Sequence, residues 1–324
     1  MNRSSWIRSA LAAFGIALAA GAFAQDAYPS RPVRLIVPNA PGSSIDIMSR
    51  ILATKLGEAL GTSTVVENRD GASGLIGMEA GRNAKPDGYV LMCASTGSML
   101  IAPMLRKSPP YDALADFAFV STFAVLPNVL VVNPDLPIRN AKELIEYARA
   151  NPGKVNMASA GVGSASHLAG VLLMSTAGFE SLHVPHKGGG PSVNSVIAGQ
   201  THWTITPAPA VVSLVKSGRL RAIGQSLPRR SALLGDIPPV AETVPGYDSS
   251  GWAGIVAPRG TPRAVVDRLN GAIAKTLALA DVKDALGAQG AEAFPGSPEE
   301  FRQFIVQEQA NTARVIKAGN LVLE

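Results

Sequence analysis

One order of secondary-structure signals occurs twice in this chain, and that repeat limits the fold more than any single motif. The first copy opens with an apolar run at residues 33–38 that reads as a short strand. A turn-rich segment follows at 39–44, with Pro41 and Gly42 inside it. From Ile45 the apolar positions recur at helical spacing: Ile45, Met48, Ile51, Leu52, Leu56 and Leu60. Ser43 or Ser44 can cap this helix, Asp46 lies in its first turn where negative charge is favoured, and Gly61 ends it. Residues 63–67 read as the next strand, and 68–74 as a loop holding Gly71 and Gly74.

The second copy begins about 120 residues later. Residues 154–159 form a strand, 160–164 a glycine loop, and 166–177 a helix with Leu168, Val171, Leu172 and Ser175 on one side. Residues 179–184 then read as a strand and 187–191 as a second glycine loop. Strands alternating with helices point to α/β layers. Two such lobes, each with a glycine loop at the carboxyl end of a strand, imply a cleft between them. Loops of this kind aim main-chain N–H groups from a helix N-terminus, which makes an anion site without a basic side chain.

Composition suits that device. Only 16% of the 324 residues are charged and 47% are hydrophobic, which excludes a disordered chain and leaves room for two domains. The formal charge of +5 invites a nucleic-acid reading. Residues 1–24 answer part of it. They carry Arg3 and Arg8, then an uncharged apolar run, then a small-residue end at Ala22 and Ala24. This is the pattern of a secretory signal peptide cleaved after Ala24, and the run is short for the ~30 Å of a bilayer core. Removing both arginines lowers the charge from +5 to +3. The densest remaining basic spots, Arg219 with Arg221 and Arg229 with Arg230, form no long run and have no interleaved aromatics. No nucleic-acid partner is expected. The single cysteine, Cys93, lies in an apolar run and reads as a buried inert thiol.

Searches for chemistry return little. Gly161-Val-Gly163 starts like a dinucleotide fingerprint, but the third glycine and the later acid are missing. The chain has no phosphate-binding P-loop pattern and no Gly-x-Ser-x-Gly elbow. His183 and His186 are spaced three apart at a strand end with Pro185 between them, not on a helix as a zinc pair would be. His167, beside the second glycine loop, can brace that loop or touch a ligand. No catalytic residue, metal site or cofactor is expected.

Ordered motifs along residues 28–324 resemble the Bug-type solute-binding proteins of tripartite tricarboxylate transport systems. They include Tyr28-Pro-Ser-Arg-Pro32 with Ile36-Val-Pro38; Pro41-Gly42 with Asp46 and Arg50; and Glu67-Asn-Arg69 with Gly71, Gly74 and Gly77. Pro86-Asp-Gly-Tyr89, Leu130-Val-Val-Asn-Pro134 and Asn151-Pro-Gly-Lys154 follow. Then come Ala158-Ser159 with Gly161, Gly163 and Ser164, His167-Leu-Ala-Gly170, His183-Val-Pro185 with Lys187-Gly188, and Trp252 with Ala257-Pro258 and Gly260-Thr-Pro262. The resemblance implies a two-lobed, periplasmic-binding-protein-like (type II) α/β fold that closes on a ligand between its lobes. Lobe 1 is expected at 25–125 plus 250–324, and lobe 2 at 126–249.

The resemblance also implies a small carboxylate ligand, delivery to membrane subunits of a tripartite tricarboxylate-type transporter, a periplasmic location, a monomer, and no enzymatic activity. A ligand-sensing role for a signalling receptor would use the same capture step, and an exported enzyme on small acids is the remoter alternative. Carried over, the first loop comprises Asn39, Ala40, Gly42, Ser43, Ser44, Ile45 and Asp46, with Asp46 as loop organiser rather than contact. The second comprises Ser159, Ala160, Gly161, Gly163 and Ser164, with His167 behind it. Ser95, Thr96, Lys187 and Gly188 border the cleft, and Ser73 and Gly74 lie on a further loop. Five positions depart from the family pattern: Asn39 and His186 each replace an aromatic, Ser43 replaces a glycine, Val171 stands where Glu is common, and Thr206 stands where an acid is frequent. Without that acid an amino group on the ligand has no partner, so a non-amino carboxylate is expected, with Asn39 freeing space for a bulkier or aromatic body.

Overall fold

The computed structural model describes residues 28–318; the segment read as a signal peptide lies outside them. The compact unit begins at Arg31. In chain order its strands are β1 (Val33–Val37), β2 (Thr64–Asn68), β3 (Val90–Ser95), β4 (Phe117–Val132), β5 (Asn156–Ser159), β6 (Leu182–Pro185), β7 (Trp203–Pro207), β8 (Arg221–Gln225), β9 (Ser250–Pro258) and β10 (Glu292–Ala293). Its main helices are α1 (Ser44–Leu60), α2 (Leu75–Arg82), α3 (Ala141–Ala150), α4 (Ala165–Ala177), α5 (Gly189–Ile197), α6 (Val212–Lys216), α7 (Arg263–Ala278), α8 (Ala280–Ala288) and α9 (Pro298–Ala318). A π-helical turn, Thr96–Ile101, follows β3 directly. Among the described residues no helix is long and apolar enough to cross a membrane.

The strands form one sheet in the order β2-β1-β3-β9-β4-β7-β5-β6, with β8 and β10 also paired to β4. Both ends of this sheet are built alike. β2 and β3 flank β1 in parallel, and β6 and β7 flank β5 in parallel. The repeat read from the sequence is thus a repeat of parallel βαβ units, which need a crossover helix between neighbours. β4 joins the two ends. Residues Phe117 to Pro127 pair with β9, while Asn128 to Val132 pair with β7 and β8. Proline has no N–H to give a ladder and is rare in central strands. Pro127 stands where β4 leaves β9 for its second set of partners, so the missing donor falls at the exchange point. This is the two-lobed α/β architecture expected.

Local chemistry explains the boundaries. Ser43, extended and just before α1, accepts from the Asp46 N–H at 3.3 Å, and Gly61 closes the helix in the left-handed region at φ 77°. Ser164 caps α4 in the same way. Each lobe has its own core. One gathers Ile36, Met78, Met92, Phe119, Trp252 and Phe301, and the other Leu144, Leu173, Trp203, Ile205 and Tyr247. Cys93 is fully buried in β3, and burial pushes its thiol up to about 12, so it is the inert thiol expected.

Candidate functional site

The carboxyl ends of β1, β2, β3, β5 and β6 point toward one cavity of about 400 Å³. Open α/β sheets place their binding crevice at this edge. Each strand feeds a loop and a helical N-terminus, so main-chain N–H groups converge from both lobes.

The first lobe contributes three segments. Asn39, Ala40, Ser43, Ser44 and Ile45 line the cavity from the β1–α1 loop and the first turn of α1. Ser73 and Gly74 line it from the turn before α2, together with Asp70, Gly71 and Ala72. Ser95 and Thr96 line it from the end of β3, where Ser95 and Ser98 each accept the other's main-chain N–H. The second lobe contributes Ala160, Gly161 and Ser164 with Ala165 and Ser166, and Lys187 and Gly188 with His186 and Gly189. Thr206 and Pro207 of β7, Leu126 of β4, and Gly251 and Trp252 of β9 form the floor. The charged lining side chains are Asp70 and Lys187.

Five candidate site residues stand behind this wall: Gly42, Ser159 and Gly163 of the two loops, with Asp46, expected to organise the first loop, and His167, expected to brace or touch from behind the second. Each holds a loop in place. Gly42, at φ 76°, donates its N–H to Asp46 Oδ2 at 2.8 Å. The Asp46 carboxylate also accepts from Arg50 Nε at 3.0 Å and from Asn68 Nδ2 at 2.8 Å. Asn68 in turn donates to the Asn39 carbonyl at 3.0 Å, which ties the loop to the end of β2. Burial alone would raise the Asp46 pKa, but the bonds from Arg50, Gly42 and Asn68 outweigh it and hold the carboxylate below its ordinary range. With its charge turned to Arg50, Asp46 does not neutralise the helix end that faces the cavity.

The corresponding turn in the second lobe is neutral. Gly163, at φ 77°, donates to His167 Nδ1 at 3.2 Å, which puts the ring proton on Nε2. The His167 ring stacks on His183 at 4.0 Å, and His183 Nε2 lies 2.6 Å from the hydroxyl of the fully buried Ser159. Burial, then the neighbouring His183, lowers the His167 pKa to about 4. His183 and His186 are lowered as well, chiefly by burial.

Among the described residues, the buried polar atoms on the cavity lining without a protein partner include Asn39 Oδ1, Thr96 Oγ1 and His186 Nε2. Buried polar atoms are nearly always satisfied, so these are positions where a ligand or water completes the wall. Of the floor, sequence reading had Thr206 but missed Leu126, Pro207, Gly251 and Trp252. Trp252 stood in a recognised motif, but only the pairing of β9 with β4 carries it to the cleft.

Comparison with known proteins agrees with this geometry. A family profile described as "Tripartite tricarboxylate transporter family receptor" matches residues 48–321. The protein BugT of Bordetella pertussis is 36% identical over 313 residues, covering 95% of this chain and 96% of its own length. A protein of R. palustris solved with adipate superposes with a TM-score of 0.89 at 32% identity, over 91% of this chain and 99% of that one. MatC of Rhodopseudomonas palustris, with bound malate, gives a TM-score of 0.84 at 28% identity, over 89% of this chain and 100% of that one. The chain belongs to the tripartite tricarboxylate transporter family receptors, the Bug-type solute-binding proteins.

Proposed function

We propose that this protein captures a small, non-amino carboxylate between its lobes in the periplasm and hands it to the membrane subunits of a tripartite tricarboxylate-type transporter. The observation that carries this reading is the convergence of the α1 and α4 N-termini, one from each lobe, on a single cavity. The lobes run as 25–125 plus 250–324 and as 126–249, with the mature protein starting after Ala24 and acting as a monomer.

A carboxylate is held by main-chain N–H groups and serine hydroxyls near Ser43, Ser44 and Ile45, and a second polar group faces Ser164, Ala165 and Lys187. An ammonium group finds no acid on the floor, where Thr206 stands. Leu126, Trp252 and Pro207 suit an apolar or aromatic body. Ser159 is buried outside the cavity with its hydroxyl against the half-buried His183, and the pair offers a ligand no nucleophile. The adipate and malate complexes of the two relatives support the ligand class.

Calorimetry and thermal shift against adipate, malate, aspartate, glutamate and aromatic acids test the reading. A ligand at 100 times its Kd adds roughly 2.7 kcal/mol of stability. Binding of at least one non-amino acid is expected. Binding of aspartate alone overturns the ligand class, binding of none overturns the capture role, and turnover of any acid overturns a purely binding role.

A further inference from the structure

The lobes meet across the mouth of the cavity at a bond that ligand capture does not itself require. The Ser73 hydroxyl donates to the Val162 carbonyl at 2.6 Å, joining the loop after β2 to the loop after β5. The backbone that aims this hydroxyl is strained. Ala72 and Ser73 have φ of 48° and 58°, and among the described residues they are the non-glycine positions with positive φ. Residues with a Cβ avoid that region, and they persist in it only where the surroundings impose it. The facing loop leaves little slack. A Cβ added to Gly161 would lie 3.2 Å from the His186 carbonyl and 3.7 Å from Ser73 Oγ. The rest of the rim is as close: a Cβ on Gly188 would lie 3.2 Å from the Ala40 methyl, and one on Gly97 would lie 3.4 Å from the Ala165 nitrogen.

We propose that the Ser73–Val162 bond is a latch that fixes the closed cleft and thereby selects ligands by length. This rests on the small-acid reading above. With the two loops joined, the cavity measures about 400 Å³ and stays partly open to solvent. An acid that fits lets the hydroxyl reach its carbonyl. A longer acid holds the loops apart, and a hydrogen bond fails over a few tenths of an ångström, so the latch is lost rather than stretched. Ser73 is therefore a positioning residue whose hydroxyl is committed to the other lobe, not to the ligand. Because the two loops meet only after the lobes come together, the latch acts on release more than on encounter.

The test compares wild type with Ser73→Ala and Ser73→Gly, using unbranched α,ω-dicarboxylates from succinate to sebacate and stopped-flow tryptophan fluorescence. For the acid held longest by wild type, both variants should release roughly fivefold faster with little change in association, the effect of one neutral hydrogen bond. For acids too long for the closed cavity, all three proteins should release at the same rate, so the chain-length preference flattens. Ser73→Gly relieves the strained φ and Ser73→Ala does not. A shared kinetic loss with a higher melting temperature for the glycine variant therefore separates a lost bond from damage to the fold. Equal release rates for wild type and variants on the best acid overturn the latch. If no acid binds wild type, the small-acid reading falls, and the latch is judged without ligand. Spin labels at Glu146→Cys on α3 and Asp284→Cys on α8 report the lobe separation, since Cys93 is buried. Longer distances in Ser73→Ala support the latch, and identical distributions overturn it.

Discussion

The two helix ends at the cavity solve one problem with different chemistry. In each lobe a glycine with φ near 77° precedes a capping serine, and the third helical residue reaches back to the glycine N–H. In the first lobe that residue is Asp46, charged and held by Arg50 and Asn68. In the second it is His167, neutral and stacked on His183. The turn is fixed equally well by a carboxylate or an imidazole acceptor. The difference lies in the accompanying charge: a buried carboxylate requires a cation beside it, and a neutral ring requires only a dry neighbour. Neither arrangement leaves a free negative charge at the helix end where an anion would sit.

Removing the carboxylate is the strongest way to break this comparison. Asp46→Ala leaves the Gly42 N–H unpartnered, removes one of the two acceptors of the Asn68 amide, and leaves Arg50 with only Asn68 Oδ1. Breaking such a pair should cost about 3 kcal/mol in urea unfolding at neutral pH, at the low end of the usual range because Arg50 is half-exposed. A cost under about 1 kcal/mol would place Asp46 among ordinary surface ion pairs.

Acid should separate the two corners next. The unfolded chain binds a proton on His167 at its ordinary 6.5, whereas the folded chain binds it only near 4. The stability from keeping this ring neutral is full above 6.5 and lost as pH falls from 6.5 toward 4, on the order of 2 to 3 kcal/mol. Asp46 is lowered from 3.8, so its contribution holds above 3.8 and is lost only as pH falls below that. His167→Gln keeps an acceptor that suits the third helical position and does not titrate. Unfolding curves across the interval should show a shallower loss in this variant, with the residual slope set by His183, His186 and His202, whose pKa values are lowered, against Asp248 and Glu308, raised by burial. An unchanged slope would remove His167 from the account.

The caps sharpen the comparison by being alike. Ser43 accepts at 3.3 Å and Ser164 at 3.2 Å, so Ser43→Ala and Ser164→Ala should each cost about 1 kcal/mol in thermal unfolding. Unequal costs would mean the serines are not doing the same job. Salt should give the smallest effect. Raising ionic strength from about 0.1 M to 1 M should shrink the Asp46→Ala penalty by a few tenths of a kcal/mol and leave that of His167→Gln unchanged.

Much of this was legible in the sequence because it is local. The helical spacing of Ile45 to Leu60 gave α1, and its cap could be narrowed to Ser43 or Ser44. The place of Asp46 in the first helical turn and the inertness of the Cys93 thiol follow from neighbouring residues, whereas the loop-organising role of Asp46 came with the family resemblance. The strand after the second helix was read too early: 179–184 against Leu182–Pro185, because Phe179 is buried as core rather than paired. Of the cavity floor only Thr206 was legible. Leu126 and Trp252 are brought beside it by the antiparallel pairing of β4 with β7 and β9, and no spacing in the chain encodes those partners. The bond between Ser73 and Val162 spans 89 positions and depends on how the lobes meet.

The place of β9 has a consequence for the order of folding. It lies between β3 and β4, although the whole second lobe separates it from them in the chain. Until Ser250–Pro258 arrives, β3 and most of β4 have an open edge and the first lobe cannot close its sheet. Pairings this distant in sequence form slowly. A chain that cannot finish its first lobe until most of it has been made exposes that open edge for longer, which is the interval in which it is most prone to pair with another copy.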